Sequence, residues 1–215
     1  MIDFDNQFFL LYFGYMKDTS KEESFKLQVL EQAKKLIEIF GYHSLVMEDI
    51  ARAVGKSRST LYLYFKDKED IFDYVINDEL ASYKSKLAEN INEIESADKM
   101  FVEFIAIKLN FVISKIRQYE HLSAEIDTHP EILKRILSLS SPDDLMILES
   151  IILKGTKDGV FKGSEPNKLD LRAKILLDCI NGITGALGHN YSDVKTLILT
   201  VQELLLGALF IKNKL

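Results

Sequence analysis

The sequence predicts an all-α protein: an N-terminal three-helix unit carrying a helix-turn-helix, then a C-terminal helical bundle, about nine helices in total. Three observations predict it. Apolar residues recur at spacings of three and four along most of the 215 residues, the period of an amphipathic helix. No window alternates convincingly with the period of two that a strand needs. Glycine and proline are scarce, at 10 and 3 residues, and every proline lies after position 129, a composition that favours long helices.

The first helix is expected over residues 20–40, where Phe25, Val29, Ala33, Leu36, Ile37 and Phe40 form one apolar face. Ser20 and Glu23 have the spacing of a capping box at its start, and Gly41 stops it. Two short helices follow, in MEDIARAV and RSTLYLYF, separated by GKS. A long helix then starts in the KDKED run and continues to about residue 91. The remainder resolves into amphipathic stretches near 98–120, 129–139, 142–158, 168–187 and 193–213. Pro142 behind Ser141 has the form of a first helical residue after an N-cap, and Gly159 that of a helix stop. The chain divides accordingly into an arm at 1–19, a unit at 20–83 with its helix-turn-helix at 46–65, and a bundle at 84–215.

With 47% hydrophobic and 28% charged residues the composition is that of an ordinary globular chain. The net charge of −6, from 27 basic and 33 acidic residues, excludes a protein that coats nucleic acid with its whole surface. The lone Cys179 cannot form an internal disulfide, and no segment has the flanks and cleavage site of a signal peptide, so a cytoplasmic setting is expected. The apolar run at residues 8–16 is too short for the roughly 20 residues a membrane span needs. No membrane partner is expected.

One stretch carries a specific message. In MEDIARAVGKSRSTLYLYF, residues 47–65, Ala51 is small enough for a helix crossing and Gly55 suits a left-handed turn. Ile50, Val54, Leu61 and Phe65 supply apolar anchors on both helices. Ser57 can accept from the free N–H groups of the second helix. With Leu61 and Phe65 inward, Arg58, Ser59, Thr60, Tyr62 and Tyr64 turn to the sides and to solvent, and these are groups that contact DNA. Residues 51–68 hold five basic side chains (Arg52, Lys56, Arg58, Lys66, Lys68) and one acidic (Asp67). This compact positive patch on an acidic chain is what phosphate binding requires.

AKKLIEIFGY followed by EDIARAVGKSRSTLYLYFKDKEDIF resembles the N-terminal domain of the TetR family of transcriptional regulators, specifically over residues 33–72. The resemblance implies that residues 57–64 form the recognition helix, that Tyr62 and Tyr64 approach phosphates or base edges, and that Lys68 contacts a phosphate. It also implies that the C-terminal part binds a small molecule and forms a homodimer. Two departures stand out: Lys56 where many members have Val, which adds charge to the turn, and Leu45-Val46 where many have Thr-Thr. The second removes a capping hydroxyl, leaves Ser44 as a substitute, and takes position 46 off the list of DNA contacts.

In the bundle, Leu171, Ile175, Cys179 and Ile180 on one helix and Leu197, Val201, Leu204, Leu205, Ala208 and Leu209 on another give two apolar faces fit for a dimer. Gly182, Gly185 and Gly188 point to close helix approach there, with a frayed helix end as the alternative. Candidate effector-binding residues are Phe104, Phe111, Tyr119, Leu122, Ile126, Leu148, Ile152 and Asn181. Their mix suits a hydrophobic or aromatic compound with one or two polar groups; simple core packing is the alternative. His121, Glu125 and His129 share a helical stripe, but Pro130 displaces His129 from it, so no metal is expected. Cys179 is expected to be a buried thiol. No cofactor is expected.

The helix-turn-helix with its positive patch, taken with what the resemblance implies, points to a one-component regulator, a repressor that binds double-stranded operator DNA and is released by a small molecule. A DNA-binding structural or nucleoid-associated protein without effector is the alternative. A helical-bundle enzyme lacks any nucleophile motif, phosphate loop or metal-spaced acid and histidine set. Residues 1–15 read either as an extra arm or as a start misassigned ahead of Met16.

Overall fold

A computed structural model describes residues 21–162, 169–186 and 193–210. The expected arm, the apolar run at 8–16, Ser20 of the capping box and Gly188 lie outside them. Nine helices stand among the described residues: α1 (Lys21–Phe40), α2 (Met47–Ala53), α3 (Arg58–Leu61), α4 (Lys68–Asn92), α5 (Ala97–Gln118), α6 (Glu120–Ile126), α7 (Pro130–Lys157), α8 (Leu169–Ala186) and α9 (Val194–Leu209). Among those residues no strand joins them; one antiparallel bridge links Phe161 to Phe210. No described helix is long and apolar enough to cross a membrane.

The number of helices agrees with expectation, yet two of them are not the expected ones. α7 runs unbroken through Pro142, which sits inside the helix rather than at a start. A proline there costs about 3 kcal/mol and one backbone hydrogen bond. Burial of Ile132 before it and Asp144, Leu148, Ile151 and Ile152 after it keeps both halves on one axis. Conversely, the stretch after residue 98 breaks at Tyr119 (φ −110°, ψ 58°), and the short α6 follows. Tyr119 is buried with its hydroxyl on Glu79, so the break is set by a tertiary contact and not by a glycine or proline.

α1 to α3 pack around Val29, Ala33, Ile37, Ile50, Ala51, Leu61 and Phe65, all buried. Phe40 does not complete the expected face; it is 57% exposed. α4 starts on this unit, its N-cap Asp67 accepting from the Asp70 N–H, and crosses the expected 83/84 boundary without interruption. Its later residues Leu80, Tyr83, Leu87 and Ile91 enter the bundle core with Phe101, Phe104, Ile105, Leu148 and Ile152. One continuous core thus runs through both units, with α4 as the shared element.

Ile180, Val201 and Leu209 of the expected dimer faces are buried in the chain's own core. The apolar side chains left outward are Leu171 and Ile175 on α8 and Leu199 and Leu204 on α9, each more than half exposed. Cys179 lies exposed beside them, contrary to the expected buried thiol. Helical spacing explains why: Leu171, Ile175 and Cys179 stand at i, i+4 and i+8 and so share one outward stripe. Gly182 continues that exposed side, where a Cβ would meet nothing within 4 Å, so no described helix approaches it closely.

Candidate DNA interface and ligand cavity

The turn between α2 and α3 follows from Gly55. Its φ of +65° is costly for an L side chain, although a Cβ would find open space there. Gly55 N–H donates to Arg52 C=O (3.1 Å) and Lys56 N–H to Ala51 C=O (2.9 Å), the two bonds of a Schellman motif. Ser57 then caps α3: its Oγ accepts from the Thr60 N–H at 3.1 Å and lies 2.8 Å from both Ser59 Oγ and Thr60 Oγ1. This network orders a helix too short to persist alone.

Lys56, Ser57, Arg58, Ser59 and Tyr62 are exposed on this unit, and Thr60 and Tyr64 are half-buried. Arg58 Nη2 donates to Tyr62 Oη (3.0 Å), and its guanidinium carbon stands 5.3 Å from the ring centroid. The two side chains form one presented unit of five-donor fork and phenol. Tyr64 packs its ring 4.7 Å from that of Phe25, so its body belongs to the core edge. Lys68 differs more. Its ammonium donates to the carbonyls of Tyr42, His43 and Leu45 at 3.2–3.3 Å and lies 4.6 Å from the Tyr42 ring centroid. All three protons are committed to the α1–α2 turn. Val46 is the N-cap of α2 without a side-chain cap bond, as loss of the hydroxyl at that position requires. Leu63, unmentioned by the pattern of anchors, is 80% exposed, and an apolar side chain there can meet a thymine methyl.

The α1–α2 turn is held from the bundle as well. Glu125 of α6 accepts from the Tyr42 N–H at 2.8 Å and the His43 N–H at 3.0 Å. Gly41 sits under that carboxylate at φ +78°, where a Cβ would stand 2.7 Å from Glu125 Cδ. His43 and His129 stack at 4.5 Å, and His129 Nδ1 lies 3.0 Å from Glu131 Oε1. Arg135 of α7 grips Asp73 of α4 through Nε (2.5 Å) and Nη2 (2.8 Å). The expected stripe is thus split among separate contacts, and His121 is exposed. Glu125 could not be found from its own position, because its partners are backbone groups more than eighty residues away.

Beneath this clamp α4, α5, α6, α7 and α8, with Ile37 of α1, line a cavity of about 170 Å³. Of the expected effector residues it is lined by Phe111, Tyr119, Leu122, Ile126 and Asn181; Phe104, Leu148 and Ile152 are fully buried core and do not line it. Polar groups that the sequence pattern did not single out, Glu79, Tyr83, Lys108 and Lys115, do. Burial would raise the Glu79 carboxyl, but donors from Lys115, Lys34 and Tyr119 outweigh it and hold it below the usual range. Lys108 and Asp144, both almost fully buried, pair at 2.5 Å, and Tyr83 Oη donates to Asp144 Oδ1 at 2.6 Å. Burial, then the charge of Asp144, pushes the Tyr83 hydroxyl well up, so it remains a donor at neutral pH. Mid-helix Lys and Asp read as surface residues until the fold brings α5 and α7 together.

A helix-turn-helix that shares a core with a cavity-bearing helical bundle is an arrangement suited to a DNA-binding regulator. Residues 29–75 match the family model described as bacterial regulatory proteins, tetR family, and the chain is similar to transcriptional regulators. It is 26% identical over 144 residues to the fatty acid metabolism regulator protein of Bacillus subtilis (strain 168), covering 63% of this chain and 70% of that one. The solved regulator FadR from Bacillus subtilis in complex with stearoyl-CoA matches with a TM-score of 0.64 at 23% identity, over 85% of this chain and 98% of that one. A putative regulator from Saccharomonospora viridis in complex with choline matches with a TM-score of 0.65 at 20% identity, over 88% and 100%. At these identities the two structures share the fold, and their ligands differ in size and charge.

Proposed function

We propose that the chain is a homodimeric repressor, acting in the cytoplasm, that reads a pseudo-palindromic operator and leaves it when a small hydrophobic or aromatic molecule enters the cavity. The observation that carries this reading is α6. Leu122 and Ile126 of this helix line the cavity, while Glu125 between them holds the α1–α2 turn of the DNA-binding unit. A ligand that displaces α6 moves the support of the recognition helix. Because two recognition helices must enter successive major grooves, a change in their separation lowers affinity without any change in base contacts.

In this reading Lys56, Ser57, Arg58, Ser59, Thr60, Tyr62 and Tyr64 form the DNA surface of the unit at 20–83, and Lys68 acts on it from behind through the turn carbonyls. The bundle at 84–215 supplies the effector site and the dimer. The exposed stripe of Leu171, Ile175 and Cys179 with Leu199 and Leu204 is covered by its copy in a four-helix interface. Selection of random duplex DNA by the purified protein tests the function. Enrichment of an inverted repeat, bound by wild type and weakened by Arg58→Ala and Tyr62→Ala at unchanged helicity and dimerisation, is the expected result. No enriched sequence, or affinity unchanged in both variants, overturns it. Sedimentation should give a dimer, and Ile175→Glu with Leu204→Glu a monomer.

A further inference from the structure

The cavity wall carries Glu79, already paired with Lys115, Lys34 and the Tyr119 hydroxyl, and a second polar corner at Lys108 whose chemistry selects among ligands. Lys108 reaches the wall from α5, with Asp144 behind it: Lys108 lines the cavity and Asp144 does not. Among the described residues Asp144 is the one partner of the ammonium, which leaves two of its protons for whatever the cavity holds. Asp144 itself is saturated, Oδ2 on Lys108 and Oδ1 on the Tyr83 hydroxyl.

The charge of the corner decides the rest. Lys108 and Asp144 cancel, so a ligand carboxylate placed on Lys108 would leave one uncompensated negative charge in a buried site, a costly arrangement. An uncharged acceptor takes the same protons at no such cost. Away from the corner, and apart from the paired Glu79 and Lys115, much of the wall is apolar, with Phe72, Ile76, Leu122 and Ile126, and the Phe111 ring stacked on Tyr83 at 4.9 Å. In size, about 170 Å³ compares with the ~150 Å³ apolar cavity that accepts benzene. From these features we infer that the cavity takes an uncharged, ring-sized apolar molecule bearing one carbonyl-type oxygen, which accepts from Lys108. This rests on the proposed function in taking the cavity as the effector site, and it narrows that site from hydrophobic compounds at large to neutral ones with an acceptor.

Three probes of similar size separate the alternatives by calorimetric titration of the full-length protein: acetophenone, ethylbenzene and benzoate. Acetophenone should bind at least about tenfold more tightly than either of the others, the scale of one hydrogen bond to a charged donor. The paired variant Lys108→Met with Asp144→Leu removes both charges together, which spares the fold an unpaired buried ion, and should abolish the preference over ethylbenzene. Benzoate binding best, equal binding of acetophenone and ethylbenzene, no binding of any probe, or a preference that survives the paired variant would each overturn the inference. Operator binding measured on the same preparation stays intact in all of those cases if the regulator reading holds, and is absent if that reading is the one that fails.

Discussion

The contact of Glu125 with the α1–α2 turn allows a prediction in which two substitutions are non-additive by a known route. Glu125→Ala removes a carboxylate that accepts two backbone N–H groups. Bonds to charged groups contribute about 1.5–3 kcal/mol each, but the His43 bond is exposed and water can replace it, so the loss is about 2 kcal/mol. Gly41→Ala acts twice. Its φ of +78° makes a methyl group cost about 1 kcal/mol, and the Cβ, 2.7 Å from Glu125 Cδ, drives the carboxylate off its two donors, for about 3 kcal/mol in all. In the double variant the carboxylate is already absent, so only the backbone strain is added and the total is again about 3 kcal/mol. The sum of the single effects is about 5 kcal/mol, which leaves a coupling of about 2 kcal/mol. Urea denaturation at one fixed protein concentration measures it. Additive losses, or a Gly41→Ala loss of about 1 kcal/mol or less, would refute the idea that Glu125 fills the space above Gly41.

Val46→Thr should stabilise the protein by about 1 kcal/mol in the same denaturation assay, since it supplies the side-chain acceptor that α2 lacks at its N-cap. Arg58→Ala should lower the slope of log affinity against log salt by about 1 and change stability by less than about 0.5 kcal/mol. Lys68→Met should do the reverse, leaving the salt slope unchanged while costing about 1–3 kcal/mol, because its ammonium caps three carbonyls; a lowered slope with unaltered stability would show that Lys68 faces phosphate instead. Glu79, whose folded-state carboxyl is held low, contributes stability that is present above the ordinary carboxylate range and lost as pH falls through its lower folded value. Glu79→Gln should therefore flatten the acid limb of a stability profile between about pH 5 and pH 2, and an unchanged limb would count against the Lys34 and Lys115 contacts.

The helix-turn-helix was legible because its signals are local. Gly55 announces a left-handed turn, Ser57 a cap, and Ile50, Leu61 and Phe65 a shared core, all within one short stretch of chain. The bundle was legible only as periodicity, and periodicity does not say which neighbour a face meets. Phe104, Leu148 and Ile152 have the same pattern as Leu122 and Ile126, yet the first three are sealed in the core and the other two line the cavity. Cys179 misled for the same reason: its helix has apolar residues on more than one side, and Ile180 rather than Cys179 turned inward. Local rules also erred where tertiary packing outweighed them, letting α7 continue through Pro142 and breaking the chain at Tyr119 where no breaker residue stands.

That unexpected break creates the element on which the proposed mechanism depends. A single helix running through residue 119 would keep the later residues on the axis of α5; the break instead frees seven residues as α6, which packs on α1. So short a helix has no stability of its own and exists by its contacts on both sides. On one side those are Leu122 and Ile126 at the cavity, and on the other Glu125 at the Tyr42 and His43 amides. Tyr119, at the hinge, ties the start of α6 to Glu79 of α4 by a 2.7 Å hydrogen bond. A ligand that favours another seat for Leu122 and Ile126 must then weaken the hold on the turn, and by reciprocity DNA that favours the present seat must weaken the ligand. Tyr119→Phe, which loosens the hinge while leaving both ring and cavity in place, should reduce that mutual effect more than it reduces either affinity alone. Equal ligand-induced loss of operator affinity in wild type and variant would place the transmission in another element.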